Sequence, residues 1–179
     1  MLGYSFYGHD NDTYFYYDRT DIKRCPICNN LTDKWNEDIS NIIITKTKID
    51  ISYSYDGILV VSEKFKKIYD ENNIEGLNFI ALKNGFYFIR PINVVNFDSE
   101  RRKTRFINQC KKCGMYESIA GSSPVFLKEN ETIPAKGFVR TDLEFGSDDE
   151  KHPLVLCGLE VGKILKKNKL SGIELDIIK

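Results

Sequence analysis

The sequence lacks an excess of charge of either sign, because 26 lysines and arginines balance 26 aspartates and glutamates. We therefore expect no protein-wide field that attracts nucleic acid or anionic lipid, although a local basic patch could still bind them. The sequence also lacks any stretch close to the roughly 20 consecutive apolar residues of a transmembrane helix. Its first residues have no basic start followed by an apolar run, which is the pattern of a signal peptide. These absences predict a cytoplasmic protein with no membrane partner.

An even set of cysteines, the usual basis of a disulfide framework, is missing as well, since the sequence has five. Four of them form two C-x-x-C pairs, Cys25 with Cys28 and Cys110 with Cys113. This usage suits a reducing compartment. Two thiolates separated by two residues on a tight turn can bind one metal ion at adjacent tetrahedral corners. The two pairs therefore predict one structural zinc ion per chain, with no coordination position left for water or substrate.

The residues that follow the two pairs suit such metal-binding turns. Gly114 follows the second pair and Asn29 the first, and these two residue types adopt left-handed backbone most readily. A redox C-x-x-C is the first alternative, but it normally opens a helix after a strand. An iron–sulfur cluster is the second, although no characteristic ferredoxin spacing is present. The fifth cysteine, Cys157, lies in an apolar run and is predicted to be a buried hydrophobic side chain rather than a nucleophile.

An internal repeat is the most informative feature of the chain's organisation. Residues 58–82 align without a gap to residues 154–178, with identities at Lys67/Lys163, Ile68/Ile164, Asn72/Asn168 and Gly76/Gly172. Both segments predict a strand, then a helix with apolar residues at i, i+3 and i+4, then a second strand. Ser62 suits the N-cap of the first helix. The alternative is a chance similarity between two ordinary strand-helix-strand stretches.

The rest of the chain is predicted to supply further strands. Residues 3–17 are rich in tyrosine and phenylalanine around a polar turn and predict an aromatic β-hairpin. Further strands are predicted at 42–44, 49–55, 85–91, 94–97 and 137–145, with a loop over 121–136 and a solvated acidic turn at 147–150. The expected fold is α+β and zinc-stapled: two related strand-helix-strand units packed on an antiparallel or mixed sheet. We predict one zinc-stabilised domain over residues 1–179, with two related halves as the alternative organisation.

A local cluster of basic residues precedes the second cysteine pair. Its candidate binding residues are Arg101, Arg102, Lys103 and Arg105, and Lys111 and Lys112 lie within the pair itself. With Phe106 and Tyr116 close by, this segment could bind nucleic acid through phosphate contacts and stacking. A solvated hairpin is the favoured interpretation, because the chain has no net positive charge.

Motifs of known catalytic chemistry are not recognisable in this sequence. We find no phosphate-binding loop, nucleophile elbow, zinc-protease helix or paired-carboxylate motif. The sequence therefore predicts a protein that is not an enzyme and has no catalytic residues. An enzyme whose site residues are widely scattered remains an open alternative.

Four sequence phrases together resemble a known family. They are D-G-I-L-V-V-S-E-K-F at Asp56–Phe65, I-E-G-L-N-F at Ile74–Phe79, the Phe106–Gly114 segment that ends in C-K-K-C-G, and G-I-E-L at Gly172–Leu175. In this order they are similar to the double-CXXCG proteins, small bacterial proteins of toxin–immunity systems. The resemblance implies an immunity protein that binds and neutralises a cognate toxin protein. The first pair departs from the family motif, because it reads C-P-I-C-N.

Overall fold

The computed structural model describes residues 2–178, which form a largely β-sheet protein with three α-helices among the described residues. The strands are β1 (Gly3–Asp10), β2 (Ile51–Tyr53), β3 (Leu59–Ser62), β4 (Leu77–Ala81), β5 (Phe86–Pro91), β6 (Val94–Val95), β7 (Arg105–Gln109), β8 (Tyr116–Ala120), β9 (Phe138–Ser147), β10 (His152–Cys157) and β11 (Ile173–Ile178). The helices are α1 (Glu63–Glu71), α2 (Ser99–Arg102) and α3 (Leu159–Lys167), and short 3-10 helices span Lys34–Asn36 and Asp148–Glu150. None of the helices in this part of the chain is long and apolar enough to cross a membrane.

The strands form one mixed sheet in the order β4-β5-β3-β2-β1-β10-β9-β8-β7. Outside this path, β11 pairs with β1 and β6 pairs with β9. Most neighbours are antiparallel, whereas β1 runs parallel to β2 and β6 runs parallel to β9. The expectation of an α+β fold with an antiparallel or mixed sheet is confirmed, because the sheet is mixed.

Both segments of the repeat fold as strand, helix and strand. The helices begin at Glu63 and Leu159, which are 96 positions apart, the offset of the sequence alignment. The first helix begins after Ser62, whose hydroxyl accepts a hydrogen bond from the backbone N–H of Phe65 at 3.3 Å. The second has Gly158 at this position, without a side-chain cap. Both helices have an asparagine at the C-cap position, Asn72 in the first and Asn168 in the second.

The strand pairing of the two units is also the same, although this could not be read from the alignment. In the first unit β5 lies between β3 and β4, and in the second β1 lies between β10 and β11. Val60 pairs with Phe88, which pairs with Ile80. At the equivalent positions Leu156 pairs with Ser5, which pairs with Asp176. The strand that completes the second unit therefore comes from residues 3–10, far from the repeat in sequence.

The two units share one hydrophobic core beneath their helices. Phe65 of α1 and Val161 of α3 are both fully buried in it. Phe6 of β1 packs edge-on against Phe138, with ring centroids 5.4 Å apart, and lies 6.1 Å from the ring of Phe65. Two smaller clusters lie elsewhere, one formed largely by residues 15–44 with β3 and β5, the other by residues 95–139 with β9 and β10. Removing water from these aromatic and aliphatic side chains is the main stabilising contribution to such a core.

Two of the strand predictions are wrong, the hairpin over residues 3–17 and the strand at 42–44. Residues 3–17 do not form a hairpin, because only 3–10 are in a strand and β1 already pairs with β10, β11 and β2. The chain instead folds back so that the backbone N–H groups of Phe15 and Tyr16 donate to the buried carboxylate of Asp56, at 2.6 and 2.8 Å. Residues 42–44 form only an isolated bridge, between Ile43 and Lys83. The expected strands at 49–55, 85–91, 94–97 and 137–145 are present with shifted bounds, and 121–136 is a loop.

Candidate metal centre

The two cysteine pairs lie on two tight loops that the fold brings together. The first loop is closed by an isolated antiparallel bridge between Arg24 and Leu31. The second joins β7 to β8, which form a hairpin at the end of the sheet. The segments that meet here are therefore more than 80 residues apart in the chain.

The two loops have the same backbone hydrogen bonds. The carbonyl of Cys25 accepts from the N–H of Asn29 at 2.9 Å, and the carbonyl of Cys110 accepts from the N–H of Gly114 at 2.8 Å. Both residues have left-handed backbone, with φ of 61° at Asn29 and 75° at Gly114. Asparagine is among the few residues other than glycine that tolerate this conformation at low cost. The departure of the first pair from C-x-x-C-G is therefore accommodated without a change in the loop.

The four sulfur atoms have the spacing of a tetrahedral metal site. All four lie within 4.8 Å of one another. The Sγ atoms of Cys25 and Cys110 are 3.9 Å apart, and those of Cys28 and Cys113 are 3.6 Å apart. Four sulfurs at about 2.3 Å from a central Zn²⁺ would be separated by about 3.8 Å. The cluster could therefore hold one metal ion, and all four ligands would come from this chain.

The loops favour ionisation of some of these thiols but not of all four. In each loop the backbone N–H groups of the second cysteine and of the residue before it lower the pKa of the first cysteine, to about 6 for Cys110. The N–H of Asn30 acts in the same direction on Cys28, but desolvation and the neighbouring sulfurs outweigh it and raise the pKa of Cys28 to about 12. Several thiolates at this spacing repel one another, and a divalent cation removes that repulsion. The donor set thus suits a soft divalent metal ion.

The first loop is held in place by Asp149, in the 3-10 helix Asp148–Glu150. The carboxylate of Asp149 lies 2.8 Å from Nη1 of Arg24 and accepts a 3.4 Å hydrogen bond from the N–H of Leu31. The acidic turn at 147–150 was expected to be solvated, and that interpretation is wrong for Asp149, whose side chain is 28% exposed. The sequence around Asp149 does not indicate that its side chain contacts Arg24 and Leu31, which are distant in the chain.

A buried lysine extends this contact towards the second loop. Nζ of Lys34 donates to the backbone carbonyls of Asp149 and Lys151, at 2.6 and 2.7 Å, and burial lowers the pKa of Lys34 to about 8. Nζ of Lys151 in turn donates to the carbonyl of Glu117 on β8 at 3.0 Å. These hydrogen bonds connect the two metal-binding loops through the protein. Lys34 was not predicted to be buried, because lysine is mostly exposed in proteins.

The basic candidate residues are placed around α2, at the opposite end of β7 from the cysteines. The guanidinium of Arg101 lies 4.2 Å from the ring centre of Phe126, and Nε of Arg102 donates to the carbonyl of Ser123 at 2.5 Å. Lys103 ends the helix and Arg105 begins β7. Both arginines of the helix are thus already engaged with the loop that follows β8.

Lys111 and Lys112 lie on the second metal-binding loop, apart from that group. The strand β7 separates Arg105 from the loop that carries Lys111 and spans roughly 14 Å. The structure therefore brings the basic residues together in two groups, one at each end of the β7–β8 hairpin.

Comparisons with known proteins assign no family to this chain. No protein-family model matches it, and no curated protein is significantly similar to it in sequence. The cysteine cluster is therefore interpreted from its own chemistry, which is that of four thiol ligands on two matched loops. Such an arrangement could hold one metal ion through four ligands of this chain.

Proposed function

We propose that this chain is a non-catalytic, zinc-stabilised immunity protein that binds and neutralises a cognate bacterial toxin. The four clustered cysteine sulfurs carry the proposal, because they match the paired C-x-x-C motifs on which the resemblance to the double-CXXCG proteins rests. The matched backbone of the two loops supports it, since Asn29 occupies the position of the family's glycine and has left-handed backbone.

Zinc is the metal that suits this site best. Four thiolate ligands in a tetrahedral arrangement favour Zn²⁺, and the spacing of the sulfurs agrees with Zn–S bonds of about 2.3 Å. The ion would connect the loop near residue 25 to the β7–β8 hairpin and so hold the surface rigid. A rigid surface loses less conformational entropy when it binds a partner.

An exposed cluster of three tyrosines supports a role in protein binding. Tyr14, Tyr17 and Tyr55 are 53%, 75% and 39% exposed. Their rings are in contact, with the centroid of Tyr14 5.2 Å from that of Tyr17 and 5.0 Å from that of Tyr55. The hydroxyl of Tyr55 donates to the carboxylate of Asp12 at 2.8 Å, which holds its ring in place. Exposed and preorganised aromatic side chains are frequent energetic centres of protein interfaces.

Acidic residues surround the tyrosine cluster and define the kind of partner surface that would fit it. Asp10, Asp12 and Asp18 are exposed near it in sequence, and Asp10 lines the same surface depression as Tyr55. Lys46 forms an ion pair with Asp12 at 2.7 Å. The excess of carboxylates favours a toxin surface that is basic at the contact, because complementary charge speeds association and suppresses wrong partners.

Co-expression with the toxin encoded by a neighbouring gene tests the proposal. We expect rescue of growth and a one-to-one complex, because inhibition by occupancy needs stoichiometric amounts. Tyr14→Ala together with Tyr17→Ala should abolish rescue while leaving zinc content and melting temperature unchanged. Ile92→Ala, which truncates another exposed apolar residue, is the matched control and should still rescue. Full rescue at a small fraction of the toxin concentration would reject inhibition by occupancy.

The second candidate function is nucleic-acid binding at the β7–β8 hairpin. The exposed ring of Phe106 contacts that of Tyr116, with centroids 5.1 Å apart; Arg105 precedes Phe106 on β7, and Tyr116 begins β8. Aromatic rings beside basic residues can stack on unpaired bases. If this is the function, a generic single-stranded RNA should bind with an affinity that falls steeply with salt, and Arg105→Glu should abolish binding. The immunity proposal predicts no measurable RNA binding by the parent protein or by Arg105→Glu.

A further inference from the structure

A cavity of about 490 Å³ lies between β1, β11 and the loop at residues 123–126. Ser5 and Tyr7 of β1 form part of its wall. Side chains alternate along a strand, so these two face away from the side on which Tyr4 contacts α3. The cavity is therefore on the opposite face of the sheet from the helix. Its volume is within the range of small-molecule sites in proteins, about 300 to 1,000 Å³.

Two polar side chains of this cavity, those of Ser5 and Asp176, have no side-chain hydrogen-bond partner among residues 2–178. Ser5 is 2% exposed, and its Oγ has no hydrogen-bond partner among residues 2–178. Asp176 is the direct cross-strand neighbour of Ser5. Asp176 is exposed to solvent, and within those same residues its carboxylate has no ion pair or side-chain hydrogen bond. A buried hydroxyl without a partner is costly and uncommon in proteins, unless water or a ligand satisfies it.

The other unit of the repeat has apolar residues at the same positions. The residues equivalent to Ser5 and Asp176 are Phe88 and Ile80, which are cross-strand partners in the same register. Phe88 is 3% exposed in an apolar core and packs on Trp35, with ring centroids 6.2 Å apart. The second unit thus has a hydroxyl, a carboxylate and an open volume where the first has two apolar side chains. Ile80 and Asp176 are both exposed, so the contrast that packing does not explain is at the buried position, where Ser5 replaces Phe88.

We propose that the cavity binds an ammonium or guanidinium group carried on an apolar stem. Asp176 supplies a negative charge, and the hydroxyl of Ser5 can accept a hydrogen bond from the cation. Among residues 2–178 no basic side chain lines the cavity, although Arg101 and Arg102 contact its wall residues Phe126 and Ser123 from outside the lining. Pro124, Val125 and Ile178 form an apolar wall against which the stem would pack. The inference does not depend on the proposed immunity function, because it rests on the residues of the cavity and not on the tyrosine cluster, although Tyr7 lines both the cavity and the depression beside Tyr55.

Titration of the full chain with matched small molecules tests the chemistry of the cavity. The probes are n-butylamine, as its ammonium ion, and a capped Leu-Lys-Leu peptide. Binding is measured by calorimetry and by changes in the NMR chemical shifts of residues 5, 7 and 125. The controls are 1-butanol and pentanoate, which carry the same butyl stem with no charge or a negative charge. We expect the ammonium to bind at least tenfold more tightly than either control at low salt. Tighter binding of the peptide than of butylamine would identify a protein side chain as the source of the cation.

Two variants make the test specific to the cavity. Asp176→Asn should weaken ammonium binding about tenfold, whereas Glu174→Gln removes the same charge two residues away, outside the cavity lining, and should leave binding unchanged. Ser5→Phe combined with Asp176→Ile installs the residues of the first unit and should abolish binding. The proposal is overturned if 1-butanol binds as well as the ammonium, if Asp176→Asn binds like the parent, or if no probe binds.

Discussion

Replacing Cys110 by serine removes one of the four ligands and should destabilise the protein strongly. A metal bound by both loops closes a loop of 82 residues between Cys28 and Cys110. Treating this link as a covalent cross-link, the lost restriction of the unfolded chain corresponds to about 4 to 5 kcal/mol at 25 °C. The hairpin that carries Cys110 contacts the remaining sheet only through β8, which pairs with β9 at two positions. We therefore expect a lower melting temperature, by about 10 °C for a chain of this size, with the first opening at the hairpin.

Thermal unfolding and elemental analysis of reduced protein measure this effect. The parent should contain one zinc per chain and Cys110→Ser substantially less. Adding a chelator should lower the melting temperature of the parent to that of the variant, and should not change the variant. Cys157→Ala is the control, because it also removes a cysteine but lies in the core, and it should keep the zinc. Equal melting temperatures for the parent and Cys110→Ser would refute the structural role of the metal.

Three further predictions concern backbone conformation and a buried charge. Gly76→Ala should cost several kcal/mol in denaturant unfolding, because its φ is 92° and a Cβ atom would clash with the carbonyl of Phe138. Gly85→Ala, with φ of 71° and open space around it, should cost only about 1 kcal/mol. Asn29→Gly should retain zinc and melt within about 2 °C of the parent, whereas Asn29→Val should lose about 2 kcal/mol and bind zinc more weakly, as measured by chelator competition. Lys34 has a folded-state pKa lowered to about 8, so the unfolded chain binds more protons above this pH. The stability of the parent relative to Lys34→Met should therefore rise between pH 8 and about 10.5, by at most about 3 kcal/mol, and a flat difference would contradict the burial of its charge.

The four cysteines that could hold a metal are predictable from the sequence as a ligand set, because such chemistry depends on residue type and local spacing. Cysteines separated by two residues have few other uses in a chain with an odd cysteine count, and the left-handed turns at Asn29 and Gly114 follow from the residue types. What surrounds the cluster is not predictable in this way. Lys34 and Asp149 are placed by contacts with segments more than 100 residues distant, and nothing local distinguishes them from exposed charges.

The helices of the repeat are predictable because their apolar period is local, and both occur where the alignment places them. The strands that complete the units are not. The aromatic content of residues 3–17 indicates strand, but it does not indicate which partner the strand takes. Local hairpin formation was the simplest expectation, and it is wrong because β1 pairs with β10 and β11 instead. Ser5 and Asp176 become a notable pair only once that pairing is known.

The position of β1 has a consequence for how the protein is made. Phe6 belongs to the shared core, yet its cross-strand partners Val155 and Leu175 are added to the chain about 150 residues later. At 5 to 20 residues per second, translation leaves this strand without them for roughly 8 to 30 seconds. During that time its edges and its aromatic side chains are open to other nascent chains, a state that favours aggregation. Cells that express the protein at high levels should therefore depend on ribosome-associated chaperones for its yield, even though the completed fold encloses β1 on both edges.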